Sequence, residues 1–324
     1  MNRLTRSLGS LLLGCTVWVL PIAAFAEYPD KPIRLIVPQA AGSATDTVAR
    51  ILAAELGPQL GGVTIVVEDK PGAAFTIGLD LVAKAAPDGY TLGIGPIGAL
   101  AISPNMVPKL PYVIDKDLQP IALIVHGHLM LVVSSKSDIK SVQELIAKAN
   151  PGKLTNASSA NGSPGHVGGE LFKYMTGTQI QHVPYRGGAA ATSDLIAGHV
   201  DLMFESLNSI SPMAKSGEVR GLGVSGDKRS AAFPDIPTIA EAGVPGYSAP
   251  TWTGLIGPSG LPPAILEKLN AAVNRAIRSP GFIERFSKIG DESAGGTPKD
   301  FADTIARDTA KWKDVVARSG AKLD

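Results

Sequence analysis

From Ile33 onward, short β-branched runs alternate with longer stretches whose apolar residues recur at helical spacing, and that alternation predicts βαβ units and mainly parallel sheets. "IRLIVP" (Ile33 to Pro38) reads as a strand. Thr45 to Leu56 reads as a helix with Val48, Ile51, Leu52 and Leu56 on one face, and "VTIVVED" as the next strand. Thr76 to Ala86 is the next helix and "YTLGIG" a third strand. "LQPIALIVHGHLMLVVSS" is an apolar run long enough to carry the chain from one lobe into another. Beyond it come helix Val142 to Ala149, strand "KLTNAS", helix Val167 to Met175, strand "IQHVPY", helix Ala189 to Ala197, and strands "VDLMFES" and "EVRGLGVSG". A proline-rich passage, Phe233 to Pro250, leads to the return strand "TWTGLIGPSG" and two amphipathic helices, Pro263 to Arg278 and Pro298 to Arg318. The expected layout is one lobe of 27–126 with 251–324, a second of 127–250, and a hinge of two crossings with the ligand cleft between the lobes.

The first 26 residues are of a different kind, with Arg3 and Arg6 before an apolar run from Leu11 to Val19 and an A-x-A pattern at Ala24–Ala26. They predict a signal peptide cleaved after Ala26 and a protein exported to the periplasm. Removing it takes two arginines from 30 basic side chains and none of the 29 acids, so the mature net charge is 28 − 29 = −1. That balance gives no reason to expect nucleic acid as a partner. Cys15, the only cysteine, leaves with the leader, as suits a disulfide-free periplasmic protein. "LLGC" loosely resembles a lipobox, but the residues after Cys15 stay apolar through Phe25 where a lipid-anchored chain would begin a polar tether.

The candidate chemistry lies where strands pass into helices, outside the carboxyl ends of the sheet, where open α/β folds bind ligands. "IVPQAAGSATDTVAR" leaves a strand through small residues, so that Gly42, Ser43, Ala44 and Thr45 can bring main-chain N–H groups and a helix dipole close to an anion. Gln39 precedes this loop, and Asp46 sits in the first helical turn, four residues before Arg50, with which it can pair. "EDKPGAAFTIG" repeats the pattern with Ala74, Phe75 and Thr76, and "ASSANGSPGH" and "PYRGGAA" repeat it in the second series. Four such helix starts facing one cleft make a site for carboxylates. Ser159, Asn161 and Ser163 can donate to a ligand or cap the helix that follows. His166 favours a structural role at that helix start, and Arg186 can grip a carboxylate or brace its loop. Glu205 ends a strand on the cleft side, where it suits a ligand that brings a hydroxyl or amine. His126 and His128 share a face, and His128 is counted among the expected ligand-binding residues, but no third metal ligand is placed by the sequence and no metal is expected.

"YPDKPIRLIVPQAAGSATDTVAR", "VVEDKPGAAFTIG", "VAKAAPDGYTL", "NGSPGHVGGELF", "VPYRGGAAATSDLIAGHVDLMF" and "FPDIPTIAEAGVPGY" run in order through nearly the whole mature chain. Together they resemble the Bug-type solute receptors of tripartite tricarboxylate transporters. The resemblance implies a two-lobed α/β periplasmic binding protein fold of type II-like form, no catalysis and no cofactor. It also implies a monomer that holds a small organic acid and delivers it to membrane permease subunits. The chain departs from that pattern at Gln39, where an aromatic residue is usual, and at Ser43 and Ala74-Phe75, where glycine pairs are usual. Phe75 adds an aromatic face that leans the expected ligand toward planar acids, or else fills core.

Two other readings carry less. "GIGPIG" matches a dinucleotide fingerprint, but Pro96, Pro104, Pro108 and Pro111 prevent the helix that must follow. An exported hydrolase would need a nucleophile-base constellation, and none is legible. A receptor that presents its ligand to a membrane signalling protein would share the same site.

Overall fold

The structure is a computed structural model that describes residues 28–149, 152–319 and 321; the expected signal peptide lies outside the described residues. The first sheet takes β1 (Ile33–Val37), β2 (Ile65–Asp69) and β3 (Thr91–Pro96), with α1 (Ala44–Gln59) and α2 (Thr76–Ala83) as the crossovers between them. A π-helical turn, Gly98–Ile102, a 3₁₀ turn and the short α3 (Ile114–Asp117) then lead into β4 (Leu118–Gly127). β5 (Leu129–Ser134) follows after a single residue, His128, and belongs to the other sheet. The long apolar run is therefore two strands with a crossing between them.

The second sheet adds α4 (Val142–Ala149), β6 (Leu154–Ser158), α5 (Pro164–Thr176), β7 (Ile180–Pro184), α6 (Gly188–Ala197), β8 (Leu202–Ser206), α7 (Leu207–Ser216) and β9 (Val219–Val224). The chain returns to the first sheet as β10 (Thr251–Pro258). It closes with α8 (Pro263–Ala276), α9 (Pro280–Ile289), β11 (Glu292–Ser293) and α10 (Pro298–Ser319). Strand orders are β11-β4-β10-β3-β1-β2 and β7-β6-β8-β5-β9.

The sheets are mixed rather than mainly parallel. β1 pairs in parallel with β2 and β3, and β6 with β7 and β8. The strands next to each crossing, β4, β5 and β10, run antiparallel to their neighbours, because a chain that leaves one sheet and returns must enter from the opposite end. Both crossings meet at Ser225, which is fully buried. Its Oγ accepts from Leu129 N at 2.8 Å and donates to Ala249 O at 2.7 Å, while its own N–H donates to Leu129 O and its carbonyl accepts from Ala249 N.

Each parallel trio carries apolar cover on both faces, as its near-continuous Val, Ile and Leu runs require. Leu35, Val37, Leu52, Leu92, Val273 and Phe282 pack one face of the first sheet. The other face continues through Phe75, Leu79 and Trp252 into Leu131, Phe172 and Phe204 of the second half, so apolar contact joins the two sheets. "GIGPIG" is packing: a Cβ at Gly93 would meet Val82 at 2.6 Å and one at Gly95 would meet Leu100 at 2.4 Å.

Candidate functional site

Ser43 caps α1, its Oγ accepting from Asp46 N at 3.2 Å, and Ser163 caps α5 by accepting from His166 N at the same distance. The third helical residue then reaches back in both places. Asp46 Oδ2 accepts from Gly42 N at 2.8 Å, and His166 Nδ1 accepts from Gly162 N at 3.1 Å. Gly42 and Gly162 take φ of 77° and 73°, the left-handed turn that lets each loop close on its own helix. "AGSATD" and "NGSPGH" are thus one device built twice, after β1 and after β6. The cap and the reach-back satisfy two amides at each helix start, and the remaining first-turn amides have no acceptor within their own helices.

Those remaining amides belong to residues that line one cavity of about 120 Å³ between the two sheets: Ala44 and Thr45 of α1, Gly165 of α5, Gly188 and Ala189 of α6, Asn208 and Ser209 of α7. Gln39, Gly42, Ser43, Phe75, Ser159 and Glu205 line it too. Thr45 Oγ1 donates to Gln39 Oε1, which ties the loop to the helix. The wall is completed by Pro96, Ile97 and the strand ends Gly127 and Thr251–Thr253. Four helix starts line the cavity, three of them at the expected loops, and α7 stands where α2 was expected. In the "EDKPGAAF" loop Ala73, Ala74 and Phe75 all take positive φ, and that turn presents the Phe75 ring to the cavity instead of the α2 amides.

The other anticipated residues serve the frame. Asp46, 4% exposed, pairs with Arg50 at 2.7 Å, and Arg50 also reaches Asp69 at 3.1 Å. The Ala74 carbonyl accepts from Ser103 Oγ, and Thr76 opens α2. His128 occupies the crossing against Gly226, where burial lowers its pKa. Asn161 sits in the turn before α5. Ser163 is turned inward by its capping bond. His166 stacks on His182 at 3.8 Å, and burial drives its pKa down to about 3. Arg186 is exposed outside the cavity wall.

Among the lining residues that the sequence did not single out are α7's Asn208 and Asp291. Pro212 inside α7 disguises the helix as a turn, and Asp291 follows α9, whose ten residues the sequence pattern assigned to no element. Asn208 Nδ2 donates to Asp291 Oδ2 at 2.7 Å, linking the second sheet's helix to the first sheet's edge. Burial pushes Asp291 up to about 7 against the pull of Asn208, and Glu205 up to about 7 against a bond from Ser206 N at 2.9 Å.

A family model described as the tripartite tricarboxylate transporter family receptor matches residues 48–321. Protein BugT of Bordetella pertussis is 36% identical over 326 residues, covering 100% of this chain and 99% of that one. Among solved structures, Rpa4515 of R. palustris with adipate superposes with a TM-score of 0.89 at 35% identity, covering 92% of this chain and all of that one. MatC from Rhodopseudomonas palustris with bound malate gives 0.84 at 32%, covering 89% and 100%. The chain therefore belongs to the tripartite tricarboxylate transporter receptors, a family of solute-binding proteins and not of enzymes.

Proposed function

We propose that this chain is a periplasmic receptor that captures a small organic acid between its two lobes and hands it to the permease of a tripartite tricarboxylate transporter. The single observation that carries the reading is the convergence of the free first-turn amides of α1, α5, α6 and α7 on one cavity whose lining, among the described residues, contains no cation. A carboxylate in such a place is held by several N–H donors and by the positive ends of helix dipoles, without a salt bridge. Relatives solved with adipate and with malate support the ligand class. The lobes proposed are 27–126 with 251–324 and 127–250, closing about the two crossings.

The test is a thermal-shift screen of the mature chain with mono-, di- and tricarboxylates, aliphatic and aromatic. A ligand at about 100 times its dissociation constant adds about 2.7 kcal/mol, a rise of roughly 5 °C for a chain of this size. Ser43→Glu, which places a negative side chain at the cavity wall, is expected to remove that rise. Hits confined to sugars would refute the reading.

A further inference from the structure

We infer that helix α7 and the end of α9 form a latch between the two lobes, a hydrogen-bonded seam beside the crossings that holds the lobes together whether or not the cavity is filled. The inference rests on the two-lobed reading above and adds to it what sets the balance between open and closed forms.

α7 lies in the 127–250 lobe and α9 in the other. Asn208, Ser211 and Lys215, spaced as one face of α7, reach across to the C-terminal end of α9. Asn208 Nδ2 donates to Asp291 Oδ2 at 2.7 Å, and Lys215 Nζ to Lys288 O at 2.5 Å. Between them Ser211 Oγ lies 3.0 Å from Ile289 O and 2.7 Å from Leu207 O. The last carbonyls of a helix have no partner within it, and a cation beside them also meets the negative end of the dipole. α7 thus supplies from one lobe what the end of α9 lacks in the other. Ser211 and Lys215 lie outside the cavity wall, and every bond in the seam is between protein groups, so none of them waits for a ligand.

The two elements meet with no slack. Gly290 ends α9 with φ of 90°, and a Cβ there would fall 2.3 Å from Leu207 Cδ2 and 3.1 Å from Ser230 Oγ, both in the opposite lobe. The start of α7 is fixed as well, because Leu207 N donates to the carbonyl of His128, the single residue between β4 and β5. The seam therefore begins at a crossing and runs outward along α7 from Asn208 to Lys215, about 10 Å at 1.5 Å per residue. When the lobes turn about the crossings, the far end moves most, and a hydrogen bond stretched beyond about 3.5 Å is lost. Opening then breaks the seam from Lys215 inward, while Asn208 and Asp291, which line the cavity, place its inner end where a ligand sits.

The experiment reads the separation of the lobes with no ligand added. Cys15, the only cysteine, lies in the expected leader, so Val66→Cys and Gln181→Cys give the mature chain two unique sites for spin labels. Both residues are exposed, and they sit on β2 and β7, the strands farthest from the crossings in their sheets. Pulsed electron resonance then gives the distribution of distances between them. With the seam intact, the short separation is expected to hold the larger share. Lys215→Met is expected to move that share toward longer separations, and Ser211→Ala combined with it to raise the ratio of long to short about fivefold or more. Lys215 is exposed, so its single variant decides the matter even if the pair fails to fold. A distribution unchanged by these variants would overturn the inference and place α7 along the axis of rotation. Long separations in the unaltered protein would overturn it too. Neither outcome touches the carboxylate reading, which stands or falls on the thermal-shift screen, whereas these distances involve no ligand.

Discussion

Ala73, Ala74 and Phe75 hold φ of 46°, 50° and 75°, three successive side-chain-bearing residues in a region that costs roughly 1 kcal/mol each for an L-residue. The surrounding packing sustains the turn: Phe75 is 4% exposed and lies against Gly98, whose added Cβ would come within 3.1 Å of the ring. Ala73→Gly and Ala74→Gly should therefore raise stability by about 0.5–1 kcal/mol each, read as an upward shift of the urea midpoint. Loss of stability in both would show that the turn is held without strain. Glu205 makes a second prediction at this scale. Its carboxyl keeps its proton to about pH 7 in the folded state but loses it near the ordinary value of 4.5 when unfolded, so folding is weakened as pH rises between those limits. His166 acts in the opposite sense, because burial keeps it neutral and the unfolded chain takes up the proton first as pH falls. Comparing wild type with Glu205→Gln cancels the histidine contribution. The wild type should lose stability relative to the variant from pH 5 to 7, by up to about 1.4 kcal/mol per unit. A flat difference would place an ionised Glu205 in the folded protein.

Ser225 stitches the outgoing crossing at Leu129 to the returning one at Ala249 through four hydrogen bonds, two of them from its hydroxyl. Ser225→Ala leaves Leu129 N–H and Ala249 C=O without that partner in a buried place, and is expected to cost about 1–3 kcal/mol in urea unfolding. A cost near zero would mean that the crossing relaxes freely. That this element is a crossing was legible in "LQPIALIVHGHLMLVVSS", because an apolar run of that length exceeds one strand. The parallel trios and α1, α5, α6, α8 and α10 were legible for the same reason, as periodicity survives wherever one face is buried. What the sequence hid were α7 and α9. Pro212 inside α7 and the Ser-Pro-Gly that opens α9 carry turn chemistry, and only packing of α7 against α9 resolves them as helices. Half of the anticipated site residues line the cavity. Of the rest, Asp46, Ser163 and His166 spend their side-chain bonds on their own loops, a distinction made by where a side chain turns after capping and not by its identity.

The two halves of the molecule share one plan that no fixed sequence period betrays. β2-β1-β3 beside β10 and β7-β6-β8 beside β5 have the same order and sense, with α1 matching α5, α2 matching α6, and the reach-back caps of Asp46 and His166 at corresponding places. The caps fill their roles with different chemistry, a carboxylate in one half and a neutral imidazole in the other, so the likeness is one of hydrogen-bond geometry and escapes residue-by-residue comparison. A cavity lined by first-turn residues of both halves offers amides from both to one ligand. Amide hydrogen exchange can read this directly. Ligand should slow exchange at the starts of α1 and α5 alike, and at α6 and α7, while α8, whose first turn lies away from the cavity wall, keeps its free rate. Protection restricted to the helices of a single half would mean that the ligand sits on one lobe, and the shared plan would then have no part in binding.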